Sequence, residues 1–187
     1  MDPRKPETKD MALELIWAPW RMAYIESCDE KRPETVEPSR LLPGADPGCF
    51  LCQAVAEPER PQRLVVYQDE LTIVVLNRYP YNNGHLLVAP RRHVGAFGEV
   101  TPSEHAALMQ TIDRMLRVLK DVMNPDGFNV GLNLGRVAGA GLPGHLHWHI
   151  VPRWSGDTNF MPVLAQTKVI PQSLEALWQL LRNKTST

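Results

Sequence analysis

The chain has 187 residues, room for one good core, and 20 Lys+Arg against 21 Asp+Glu leave a formal net charge of −1. That balance excludes the strong basic field of a non-specific nucleic-acid binder, so no nucleic-acid partner is expected. Apolar residues at 43% and charged residues at 22% suit a globular domain, with no run near the ~20 residues of a membrane span.

Residues 1–48 read as a frayed tail, an aromatic segment from Met11 to Ile25, and a linker marked by Pro33, Pro38, Pro43 and Pro47. The aromatic segment carries Trp17, Trp20 and Tyr24, which need something to pack on: this chain's core or a second subunit. The N-terminus lacks the apolar stretch of a signal peptide. Three cysteines, Cys28, Cys49 and Cys52, make no secreted disulfide framework and point to a reducing cytoplasm. Cys28 reads as an ordinary thiol. Cys49 and Cys52, at C-x-x-C spacing, read as a metal clip or a redox motif.

Residues 49–187 read as one domain. Runs at 64–67 and 72–76 flank Gln68-Asp69-Glu70, a predicted hairpin, and a third strand is expected over 85–89. Thr101-Pro102-Ser103-Glu104 is a capping box with proline at its first helical position. The helix it opens should bury Leu108, Ile112, Met115, Leu119 and Val122 and stop at Asn124-Pro125-Asp126-Gly127. Strands over 128–134 and 146–151 and a closing helix over 173–182 complete the pattern. The expectation is an α+β fold: a five-stranded antiparallel sheet with two flanking helices.

The strongest motif is His145-Leu146-His147-Trp148-His149-Ile150-Val151. In a strand, the histidines share one face while Leu146, Trp148 and Ile150 share the other. Upstream, four glycines between Gly135 and Gly144 make a loop whose N–H groups can approach an anion. Three surface or metal-only histidines are the bland alternative.

The motif resembles the signature of the histidine triad (HIT) superfamily. Asn77 before a proline-containing turn, then Gly84-His85-Leu86-Leu87-Val88-Ala89-Pro90, resembles that family's nucleotide-binding strand. The resemblance covers about residues 49–155 and implies that His147 attacks the α-phosphorus of a nucleotide, forming a covalent nucleotidyl-histidine. It implies that a backbone carbonyl fixes the tautomer of His147 and that His149 contacts the phosphate or leaving oxygen. Substrate contacts are then expected from Asn77, His85, Asn133, His149 and the loop Gly141-Leu142-Pro143-Gly144. Asn77 has a second reading, as a turn residue. The resemblance also implies a structural zinc held by Cys49, Cys52, His93 and His145, and a homodimer whose sheets join.

The flanks narrow the expectation. Trp17 to Ile25, Pro152 to Phe160 and Thr167 to Gln172 resemble bacterial diadenosine tetraphosphate phosphorylases. One departure is Gly141, where those phosphorylases often have serine. The resemblance implies phosphorolysis of diadenosine tetraphosphate, with a nucleotide and inorganic phosphate as partners. Hydrolysis of dinucleoside polyphosphates or phosphoramidates, and nucleotide binding without turnover, are the alternatives.

Overall fold

The computed structural model describes residues 36–162 and 169–185. The aromatic segment at 11–25, Cys28 and the pair Thr167-Lys168 lie outside the described residues. One antiparallel sheet holds β1 (Val65–Gln68), β2 (Thr72–Leu76), β3 (Leu86–Pro90), β4 (Gly127–Leu132) and β5 (Trp148–Arg153). Its spatial order is β1-β2-β3-β5-β4, so the last strand lies inside the sheet and β4 forms an edge. Three α-helices flank it among the described residues: α1 (Phe50–Ala56), α2 (Pro102–Met123) and α3 (Leu174–Thr185).

The α+β reading holds, and α1 is an addition to it. A seven-residue helix is too short to display a helical period. The β1–β2 hairpin turns at Asp69, whose Oδ1 accepts from the N–H groups of Leu71 (2.9 Å) and Thr72 (2.7 Å). At the start of α2, Glu104 N–H donates to the Thr101 hydroxyl (3.2 Å), and Thr101 N–H donates to Glu104 Oε2 (2.8 Å). The capping box is therefore closed on both sides.

Alternation along the strands divides the interior in two. Val74, Leu76, Leu86, Val88, Trp148 and Ile150 pack under α2 and α3, where Leu108, Ile112, Met115 and Leu119 are buried and Val122 lies at the margin. Ile73, Val75, Leu87 and Ala89 face α1 with Leu51, Cys52 and Val55. Both sheet faces are covered, so every residue of β2 and β3 is buried, which explains their unbroken apolar text. The described part of the proline-rich stretch does more than link. Leu41, Leu42 and Ala45 pack against the α1-side cluster, and Val36 is buried.

Candidate active site and metal centre

β5 begins at Trp148, two residues later than the sequence reading. The cause is Leu146, whose N–H donates to the Val94 carbonyl at 2.8 Å instead of entering the ladder. The chain stays extended enough for the alternation to persist. Leu146, Trp148 and Ile150 join the core under α2 and α3, while His149 stands opposite Leu87 on the other face.

His147 is buried, and its Nδ1 lies 2.8 Å from the main-chain carbonyl of His145. A carbonyl only accepts, so Nδ1 carries the proton and the Nε2 lone pair is left available. Burial lowers the pKa of this imidazole below its ordinary value, which keeps the ring neutral at neutral pH. A neutral, singly oriented imidazole is the form a nucleophile requires.

His149 is oriented by a chain of hydrogen bonds whose direction can be worked out. The Tyr81 N–H donates to His85 Nδ1 at 3.0 Å, so that nitrogen is an acceptor. The proton of His85 then sits on Nε2 and is donated to His149 Nδ1 at 2.9 Å. The proton of His149 is thereby assigned to Nε2. The rings of His147 and His149 lie 5.1 Å apart, and Tyr81 stacks on His149 at 5.7 Å.

Two residues expected as substrate contacts are engaged by hydrogen bonds within the protein. His85 is fully buried behind His149, so its polar atoms support that ring. Asn77 realises its turn reading: Oδ1 accepts from Tyr79 N–H at 3.0 Å and Nδ2 donates to His85 Nδ1 at 3.2 Å. Asn133 lines an open cavity with His149, and its Nδ2 donates to the Gly139 carbonyl at 3.3 Å. In the loop that follows, Gly141 and Gly144 are exposed, while Leu142 packs on the α1-side core and anchors it. Gly95 packs closely against this loop: a Cβ on it would sit 3.1 Å from the carbonyl oxygens of Pro143 and Gly144.

Sequence reasoning missed Tyr81, Asn82 and Asn129 in the cavity wall, and the carboxylate of Asp157 bonded to Asn82. Asp157 accepts from Arg153 Nε at 2.6 Å and from Asn82 Nδ2 at 2.8 Å. The Arg153 hydrogen bond holds the carboxyl of Asp157 well below the usual carboxylate range. No local motif marks these residues: Asn82 and Asp157 meet from distant turns, and Asn129 meets Arg153 across two strands.

The four predicted metal ligands converge. One atom each from Cys49, Cys52, His93 and His145 lies within 4.8 Å of all the others. Cys52 Sγ is 3.2 Å from His93 Nδ1, and Cys49 Sγ is 3.3 Å from His145 Nδ1. Ligands on a tetrahedral zinc, at about 2.0–2.3 Å from the ion, stand at comparable separations. His145 Nε2 donates to the Pro90 carbonyl at 2.8 Å, which leaves the Nδ1 lone pair facing the thiols. The hydrogen bond from Cys49 pulls the Cys52 thiol well below its ordinary range. The donor set, its spacing and its tautomer fit zinc.

The HIT domain family matches residues 58–156, which contain the hairpin, the nucleotide strand, α2 and all three motif histidines. The chain belongs to the HIT family. It is 43% identical over 169 residues to the AP-4-A phosphorylase of Mycobacterium tuberculosis, covering 90% of this chain and 83% of the relative. Among solved structures, it is similar to a hypothetical histidine triad nucleotide-binding protein from Sulfolobus tokodaii. The TM-score is 0.60 at 28% identity, covering 74% of this chain and 92% of that one. A Zn-bound histidine triad family protein from Mycobacterium smegmatis gives a TM-score of 0.59 at 26% identity, covering 74% and 93%. Among the described residues of this HIT protein, no helix is long and apolar enough to cross a membrane.

Proposed function

We propose that this HIT protein transfers a nucleotidyl group through a covalent nucleotidyl-histidine on His147, and that its reaction is phosphorolysis of diadenosine tetraphosphate to ADP and ATP. The observation that carries the reading is the His147 imidazole, neutral and held by the His145 carbonyl with Nε2 available. Similarity over 90% of the chain to an AP-4-A phosphorylase supports the substrate class.

In the first step Nε2 of His147 attacks the α-phosphorus. The P–N bond forms as the bond to the bridging oxygen breaks, and ATP departs with those electrons. His149 Nε2–H donates to the departing oxygen as its charge develops. In the second step inorganic phosphate attacks the same phosphorus, the P–N bond breaks, and ADP leaves with His147 neutral again. Backbone N–H groups of Gly141, Leu142 and Gly144 and the Asn133 amide hold the phosphates, and Asn77 meets the ribose once substrate replaces its turn contacts.

Cys49, Cys52, His93 and His145 would hold zinc as its four ligands, and the metal would then supply structure and no reaction step. His145 holds that site through its ring and His147 through its carbonyl. A homodimer belongs to the same reading: the outer edge of β4 is exposed, with Val130 and Leu134 bare beside it. Pairing there joins two sheets in their own plane and leaves the histidine face of each accessible.

Water is the second candidate acceptor, and Gly141 is the observation in its favour, since a glycine offers no hydroxyl to hold phosphate. Incubation with diadenosine tetraphosphate decides between them. ADP plus ATP, at a rate saturating in phosphate, supports phosphorolysis. AMP plus ATP at a rate indifferent to phosphate makes the protein a hydrolase.

A further inference from the structure

An in-line displacement sends the leaving group out opposite the attacking nitrogen. With His147 Nε2 attacking, the oxygen that accepts from His149 belongs to the departing half. What lies beyond His149 is therefore where that half must go.

An open cavity of about 380 Å³ begins there, a size suited to a small organic ligand. Asn133 and His149 wall its near end, and Arg153, four residues further along β5 and about 13 Å away, stands at its far end. Tyr81 forms one side, its ring parallel to His149 within 16° and 39% exposed. Asn129 of the neighbouring strand forms the other side. Asn77 is not among the residues that line the cavity and follows the end of β2, two strands away from β5.

Arg153 is held in place. Its Nε and Nη2 donate to Asp157 at 2.6 and 3.1 Å, and Nη1 donates to Asn129 Oδ1 at 2.8 Å. Of five guanidinium N–H donors, three are engaged by these bonds and two remain for a ligand. Asp157 is also turned away from the cavity by bonds from Asn82 Nδ2 and Trp154 N–H. A pinned guanidinium, amides on two walls and an exposed aromatic face together match a nucleoside polyphosphate: charge and planar base.

We infer that this cavity is a second nucleotide subsite, which holds the departing nucleoside polyphosphate, with Tyr81 stacking on its base and Arg153 binding its distal phosphates. The inference rests on the nucleotidyl-transfer reading and adds to it the determinant of a two-nucleoside substrate. Tyr81 and Arg153 act on the departing half only.

Binding to the His147→Gln protein separates the halves, because AMP carries the retained half and diadenosine tetraphosphate carries both. Adding Tyr81→Ala should weaken diadenosine tetraphosphate by about fivefold or more, the scale of one lost base–aromatic stack, with AMP affinity unchanged. Tyr81→Phe should bind both ligands as the parent does, since the ring is kept. Arg153→Met should weaken diadenosine tetraphosphate selectively and make its binding less sensitive to salt. Equal losses for both ligands would place the retained nucleotide in the cavity or reduce Tyr81 to a structural role, and no loss for either would leave the cavity idle. Each of those results overturns the subsite while the transfer reading stands. If the parent binds neither ligand, that reading fails and takes the subsite with it.

Discussion

The Nδ1 of His147 is bonded to the main-chain carbonyl of His145 at 2.8 Å, while the side chain of His145 faces two thiols and the Pro90 carbonyl. One residue thus joins the cluster of cysteines to the ring proposed as nucleophile, the first through its imidazole and the second through its backbone. The arrangement makes both sites sensitive to the path of the chain at 145–147.

Replacing His147 by Ala or Gln should reduce turnover of diadenosine tetraphosphate below detection while nucleotide binding persists. Only the attacking nitrogen is removed, and the glycine loop and Asn133 remain. Wild-type protein mixed with labelled substrate and quenched in alkali should yield an acid-labile adduct on His147. An adduct mapped to another residue by peptide sequencing rules the assignment out.

Protein purified without chelator should contain about one zinc per chain by metal analysis. Because a closed metal site forms only in the folded state, its binding energy is part of the folding energy. Cys49→Ser and Cys52→Ser should each lower Tm by several degrees, and chelation should lower that of the wild type towards theirs. A metal-free wild type with unaltered Tm after chelator treatment defeats this expectation.

His85→Phe removes the donor that orients His149 and keeps the ring volume in a fully buried position. The expected result is a kcat loss of about ten- to a hundredfold with a smaller change in KM, because the misplaced donor acts on the departing oxygen. A change confined to KM would return His85 to the role of substrate contact read from the sequence.

Glu104 gives a pH dependence of stability. The Arg92 guanidinium beside it, with the Thr101 N–H and hydroxyl, lowers its carboxyl to about 2. Its unfolded pKa is near ~4.3. The unfolded chain therefore binds the proton more readily, and the stabilisation is complete above roughly pH 5 and lost as pH falls towards 2. Glu104→Gln should flatten the acid side of the stability profile over that window. At neutral pH it should cost about 1 kcal/mol, as expected for losing one side of a helix cap. Denaturant unfolding at a series of pH values measures both, and an acid limb identical in variant and wild type contradicts the assignment.

Replacing Gly84 by Ala should destabilise the fold by about 1–3 kcal/mol, measured by denaturant midpoint. Gly84 has φ +76°, and an added Cβ would fall 2.8 Å from Met123 Sδ and 3.2 Å from Pro152 Cγ. Because Gly84 precedes His85, kcat should fall along with stability. A variant as stable as wild type would mean that Met123 yields freely.

Much of the site was legible from the primary structure because its residues keep a fixed period along extended chain, although of the three histidines only His149 lies within β5. His145, His147 and His149 needed only the two-residue period of a strand, and Thr101 to Glu104 carried its own cap. The C-x-x-C pair was readable as a clip, yet its helix was not, since Phe50–Ala56 is held by packing against β2 and β3 rather than by its own pattern. Tyr81, Asn82, Asn129 and Asp157 escaped notice for a related reason. They come together from segments up to 75 residues apart, as in the Asn82–Asp157 bond, and no local spacing encodes such a meeting.

The sheet order has an evolutionary corollary. β4 and β5 are consecutive in the chain and paired along six residue positions, from Gly127–Arg153 to Leu132–Trp148. Everything between Leu132 and Trp148, including the glycine loop, is thus the connection of one long hairpin whose two stems are zipped independently of it. The part of that connection before His145 can gain, lose or exchange residues while the stems stay in register, since lengthening a loop costs little closure entropy. Selection can therefore try new acceptors, by trading Gly141 or its neighbours, with His149 kept at its place in the ladder.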